Sequence, residues 1–183
     1  MPRTRTVLAV STLVASQLLA TTPASSAGAT PNAAACMWKQ QGPVHRIVSQ
    51  GGLVLDVKDN GTANGTPVQL WAQTGGRNQQ WVTLRCDGSP YLVLKSVSAQ
   101  KCLDVSQRKP LANGNPVYVY QCHYRANQQW DHGNDGGMGI LSTGLNSDYL
   151  LDAQQPRRKG SAVRMMFWSA STFEGRTWGL NPI

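Results

Sequence analysis

The sequence predicts an all-β domain built from three homologous lobes, and three observations carry that prediction. Strong helix formers are scarce: charged residues make up 14% of the 183-residue chain and Glu174 is its sole glutamate. Short stretches of period-2 alternation recur, bounded by Gly, Pro, Asn and Asp. One pattern also returns three times, with Asp56, Asp104 and Asp152 at 48-residue intervals and Trp81, Trp130 and Trp178 at intervals of 49 and 48.

Each repeat opens with a short apolar strand carrying one Asp: Leu55-Asp56-Val57, Leu103-Asp104-Val105 and Leu151-Asp152-Ala153. A second strand follows. Val68-Gln69-Leu70-Trp71 and Val117-Tyr118-Val119-Tyr120 alternate and are rich in β-branched and aromatic residues. The third copy reads Val163-Arg164-Met165-Met166. Between the two strands, Asn64-Gly65 and Asn113-Gly114 mark tight turns, because both residue types tolerate positive φ. Asp87-Gly88-Ser89-Pro90 and Asn134-Asp135-Gly136-Gly137 separate the repeats. A multistranded unit of this length suits a propeller blade or a trefoil lobe. A propeller needs about 4–8 blades, whereas three lobes closing a barrel leave little strand edge exposed.

The closings Gln79-Gln80-Trp81 and Gln128-Gln129-Trp130, with the Leu-Asp-Val openings, resemble those of ricin-B-type lectin domains. The likeness runs over residues 44–183 and decays in the third repeat to Arg176-Thr177-Trp178. It implies a β-trefoil with pseudo-threefold symmetry, with lobes at about 44–86, 87–134 and 135–183 behind a tail at 28–43. Trp81, Trp130 and Trp178 read as core anchors, each burying on the order of 200 Å². Gln79 and Gln128 read as satisfying backbone groups inside the fold, since an unpartnered buried amide costs about 1–3 kcal/mol.

The chemistry of the repeats suits a saccharide. A carboxylate accepts two neighbouring hydroxyl hydrogens, an amide both donates and accepts, and an aromatic face covers the C–H face of a pyranose. The first lobe holds a full set in Asp56, Gln69, Trp71, Asn78 and Gln79, with Gln69 and Trp71 on one face of a strand. In the resembled lectins the matching positions are the carboxylate, an amide, the stacking aromatic and the hydroxyl-binding Asn. The second lobe keeps Asp104, Tyr120, Asn127 and Gln128, but Tyr118 replaces the strand amide. The third keeps Asp152 alone, with Arg164, Met166 and Gly175 at the other positions. It reads as structural. Its basic run Arg157-Arg158-Lys159 reads as a solvated loop, with an anionic partner for that run and Arg164 as the alternative.

Arg3 and Arg5 precede an apolar run from Val7 to Ala20 and the small residues Ala24-Ser25-Ser26-Ala27, the pattern of a secretory signal peptide over 1–27. The run is shorter than the ~20 residues that a membrane-spanning helix needs. Secretion favours disulfides, and four cysteines allow three pairings. Cys102 and Cys122 bracket one repeat and are paired on that ground. Pairing Cys36 with Cys86 staples the tail to the end of the first repeat. No clustered Cys/His spacing suggests a metal, no cofactor motif occurs, and His45, His123 and His132 fall in no catalytic pattern. Asn60-Gly61-Thr62 and Asn64-Gly65-Thr66 match the glycosylation pattern but read as the turn beside the first pocket.

These features describe a secreted, non-catalytic lectin for cell-surface or polysaccharide glycans. Alternatives are the cell-binding subunit of a multi-component toxin, or a trefoil without sugar function, such as a protease inhibitor or a nucleic-acid binder. The net charge of +8 admits nucleic acid, but its dispersal along the chain argues against it.

Overall fold

The computed structural model describes residues 36–135, 138–169 and 175–183. The predicted signal peptide lies outside them. Twelve strands are present: β1 (Lys39–Ser49), β2 (Val54–Val57), β3 (Thr66–Trp71), β4 (Trp81–Arg85), β5 (Leu92–Ser96), β6 (Cys102–Val105), β7 (Val117–Tyr120), β8 (Trp130–Asp135), β9 (Met138–Thr143), β10 (Asn146–Ala153), β11 (Val163–Phe167) and β12 (Thr177–Pro182).

Six strands close a barrel. β1 pairs with β4, β4 with β5, β5 with β8, β8 with β9, β9 with β12, and β12 returns to β1, all antiparallel. Closure removes the free edges that a six-stranded sheet would otherwise expose. The remaining strands form three hairpins, β2–β3, β6–β7 and β10–β11. Each lobe thus supplies two barrel strands and one hairpin, which makes the architecture a β-trefoil. β1 begins at Lys39, within the stretch read from sequence as a tail, because Lys39 and Gln40 pair with Arg85 and Leu84.

The hairpin registers explain the repeated pattern. Paired residues on antiparallel strands point to the same side, and successive residues alternate. Leu55, Val57, Val68 and Leu70 fall on the core side, as do Leu103, Val105, Val117, Val119 and Leu151, Ala153, Val163, Met165. The opposite faces hold Val54, Asp56, Gln69, Trp71, then Cys102, Asp104, Tyr118, Tyr120, then Leu150, Asp152, Arg164, Met166.

Trp81, Trp130 and Trp178 are wholly buried in the shared core. Each indole Nε1 donates to a main-chain oxygen of its own lobe's opening strand: to Leu55 at 3.1 Å, Leu103 at 3.2 Å and Leu151 at 2.9 Å. The Trp therefore packs the barrel and also ties the hairpin to it. Both predicted disulfides are present, with Cα–Cα separations of 5.9 Å for Cys36–Cys86 and 5.1 Å for Cys102–Cys122. The second sits in a small satellite core with Leu84 and Val93, over which Trp38 stacks on Tyr124 at 5.9 Å.

Candidate carbohydrate site

In the first lobe the register sets Asp56 opposite Gln69, and the 3-10 turn Arg77–Gln79 brings Asn78 and Gln79 to the same carboxylate. Asp56 Oδ1 accepts from Gln69 Nε2 at 3.1 Å, while Oδ2 accepts from Asn78 Nδ2 at 2.8 Å and Gln79 Nε2 at 2.9 Å. Three amides thus fix one carboxylate that is only 3% exposed. Gln79 has no exposed surface, and it also donates to the Ala72 oxygen at 2.9 Å and accepts from the Thr74 N–H at 2.8 Å. It holds the carboxylate and the loop rather than facing solvent. Trp71, on the same side of the hairpin, is 37% exposed. An indole left open beside an anchored carboxylate is the arrangement that stacking plus hydroxyl recognition requires.

The second lobe repeats the frame with altered contents. Gln128 Nε2 donates to Asp104 Oδ2 at 2.8 Å and to the Gln121 oxygen at 2.9 Å, and its Oε1 accepts from His123 and Tyr124 N–H groups. Gln128, like Gln79, has no exposed surface. Asn127 donates to the Val105 oxygen at 3.3 Å, and its buried Oδ1 has no hydrogen-bond partner among the described residues. Tyr118, in the place of Gln69, tilts against Tyr120 at 6.1 Å, and Tyr120 is 38% exposed.

One member of this site escaped the sequence reading. His123 Nε2 lies 3.3 Å from Asp104 Oδ2, and the ring sits 6.2 Å from Tyr120. Its Nδ1 accepts from the Arg125 N–H at 3.3 Å, which assigns the ring proton to Nε2, facing the carboxylate. His123 stands five residues before Gln128, where Thr74 stands before Gln79. That offset is the only signal the sequence offers. Burial pushes the Asp104 carboxyl up to about 6, against hydrogen bonds from Gln128 and Asn127 that lower it. Burial, and then the Arg125 charge, push His123 down.

The third lobe replaces these amides with guanidinium. Arg176 stands where Gln79 and Gln128 stand, and its Nε donates to Asp152 Oδ2 at 2.9 Å. Arg176 is buried, as are the two glutamines, so the frame survives while its chemistry changes. Arg164 donates to Gln154 Oε1, and Met166 takes the place of the aromatic.

The turns between hairpin strands also settle differently from the sequence reading. The sequence pattern sets Asn64-Gly65 beside the first pocket; the structure seats it on the second lobe. Gly65 donates to the Val119 oxygen at 2.9 Å, and Asn64 Oδ1 accepts from the Gln121 N–H at 2.9 Å. Among the described residues no group of three or more His, Cys, Asp or Glu could hold a metal ion. No helix there is long and apolar enough to cross a membrane.

A closed six-stranded barrel, three hairpins and an anchored Asp beside an exposed aromatic define a β-trefoil of lectin type. The ricin-type β-trefoil lectin family model matches residues 40–172, and the chain belongs to that family. It is 32% identical to nigrin b of Sambucus nigra over 101 residues, 54% of this chain and 16% of that protein. Across the curated relatives it matches, the chain spans 12–40% of their lengths. Among solved structures it resembles ThreeFoil, a designed 3-fold symmetric protein, with a TM-score of 0.70 and 27% identity over 76% of this chain and 99% of that one. It shares the fold of the Macrolepiota procera ricin B-like lectin in complex with lactose, with a TM-score of 0.63 and 19% identity over 79% of this chain and 99% of that one.

Proposed function

We propose that this protein is a secreted lectin that binds glycans through its first lobe, with the second lobe as an altered companion site. The observation that carries this reading is the triply bonded Asp56 carboxylate beside the open Trp71 face. Asp56, Gln69 and Asn78 meet sugar hydroxyls, Trp71 stacks on the ring, and Gln79 positions the carboxylate. In the second lobe Asp104, Asn127 and Tyr120 take these roles, Gln128 positions, and His123 adds a donor. Secretion is supported by the two disulfides. A binding role without bond cleavage is supported by the placement of Asp56, Asp104 and Asp152 on three different hairpins.

The test is a glycan array probed with wild type and Asp56→Ala. Wild type binds a defined set of glycans and the variant loses them. Absence of binding, or binding indifferent to the substitution, overturns the reading. A second reading, delivery of a separate activity as the cell-binding subunit of a multi-component toxin, is favoured by likeness in fold to cytolethal distending toxin from Actinobacillus actinomycetemcomitans. Co-purification of a distinct chain with the secreted protein would favour it.

A further inference from the structure

The three hairpin turns form a cycle, each docking on the next lobe. Gly65 of the first lobe donates to the Val119 oxygen at 2.9 Å, and Gly114 of the second donates to the Met165 oxygen at 2.8 Å. Gly160 of the third donates to the Leu70 oxygen at 2.8 Å, and the Ser161 oxygen accepts from the Leu70 N–H at 2.9 Å. Gly65, Gly114 and Gly160 share a positive φ of 85, 85 and 83°, so all three turns have one shape. Their receiving residues immediately precede Trp71, Tyr120 and Met166.

What precedes the glycine differs. In the first two turns it is Asn64 and Asn113, and each side-chain oxygen accepts the N–H just beyond the receiving lobe's aromatic position, at Gln121 and Phe167. In the third turn Arg158-Lys159 stands there instead, and a lysine has no acceptor to offer. The third turn meets the lobe that keeps carboxylate, strand amide and aromatic together: a Cβ built on Gly160 would lie 3.8 Å from Trp71 Cζ3. The turn is fixed by Ser161, whose Oγ accepts the Arg158 N–H at 3.0 Å and donates to the Pro156 oxygen at 2.7 Å. On its third-lobe side Arg158, Lys159, Gly160 and Ser161 line a hollow of about 390 Å³, walled by third-lobe residues alone.

Both cations are exposed, and neither side chain has a hydrogen bond or ion pair among the described residues. The hairpin carboxylates on either side are held elsewhere. Asp56 is covered by three amides, and Asp152 is paired with Arg176.

We propose that the first sugar site is shared between lobes: Arg158 and Lys159 of the third lobe form a cationic rim beside Trp71. That rim selects saccharides bearing a carboxylate or sulfate next to the stacked ring. The inference rests on the first-lobe reading above and adds the ligand class. The basic run is thus a specificity element of a site in another lobe, with Arg158 lying 87 residues beyond Trp71 in sequence, not part of a third-lobe site.

The test is titration calorimetry at fixed ionic strength with two matched pairs: polygalacturonate against its methyl-esterified form, and dextran sulfate against dextran. Two exposed charge contacts give about a three- to tenfold preference for the anionic member of at least one pair, reduced by added salt. Which pair shows it separates carboxylate from sulfate. The double variant Arg158→Ala/Lys159→Ala brings the ratio near one, whereas Arg108→Ala/Lys109→Ala, an equal loss of charge on another loop, keeps it. Trp71→Ala abolishes binding of both members. Equal affinities in wild type, or a preference that survives the double variant, overturn the inference while Trp71-dependent sugar binding still upholds the first-lobe site. Absence of Trp71-dependent binding to any of the four polymers, together with a blank glycan array, overturns both.

Discussion

At the scale of single residues, equivalent carboxylates are held in three ways. Asp56 is fixed by three amides, Asp104 by Gln128 and His123, and Asp152 by Arg176. The second arrangement makes that site sensitive to pH. With its carboxyl pushed up to about 6, Asp104 favours the folded state in its protonated form. Its contribution to stability is complete below the ordinary carboxyl value near 3.8 and is lost as pH rises through about 6. Sugar binding slopes the other way, because hydroxyl donors need the ionised carboxylate. At pH 5 only about one Asp104 in ten is ionised, so second-lobe affinity falls about tenfold between pH 7 and 5. Calorimetry with Asp56→Ala, which isolates this lobe, checks it. A flat profile would show that Asp104 stays ionised throughout.

At the scale of elements, each hairpin is a two-faced plate. One face is apolar and lies on the barrel; the other carries the site. The plate is held by its indole tether to the barrel and by the turn that docks on the next lobe. In the second lobe the Cys102–Cys122 disulfide adds a clamp between β6 and the segment after β7. Its sequence separation of 20 residues predicts a stabilisation of about 3 kcal/mol from the restricted unfolded chain. For a domain of this size, Cys102→Ala/Cys122→Ala is expected to lower Tm by about 6–12 °C. Scanning calorimetry measures it. A shift below 2 °C would mean that the barrel alone orders this hairpin.

At the scale of the molecule, the closed barrel fixes the hairpins on one body, so sites in different lobes keep a constant spacing. A ligand with repeated epitopes then binds the second site at high effective concentration. Removing either site therefore costs more against a polymer than against a free sugar. For a glycan that binds both lobes, Asp56→Ala or Asp104→Ala halves the stoichiometry with the monosaccharide. The same change weakens binding to its polymer by about a hundredfold or more. Surface-immobilised polysaccharide and solution calorimetry together read both quantities. Polymer affinity within twofold of wild type in either variant would show the lobes acting singly.

The sequence by itself determined the elements and their contents. The 48-residue interval, the alternation of β3 and β7, the buried Trp residues and the Cys102–Cys122 pair follow from local pattern, because strand periodicity and a repeated core fix which side each residue faces. The anchored carboxylate was legible for the same reason: Asp56, Gln69, Asn78 and Gln79 lie within one lobe. What only the tertiary structure decided is every contact between lobes, and every partner that follows no repeat. His123 reaches Asp104 through the shape of a loop. The repeat sets Arg176 at the glutamine position, but that it stays buried and pairs with Asp152 is seen only in the fold. The turn beside Trp71 belongs to the third lobe, since cyclic closure of the trefoil sets each turn on its neighbour, and a linear pattern carries no record of which neighbour that is.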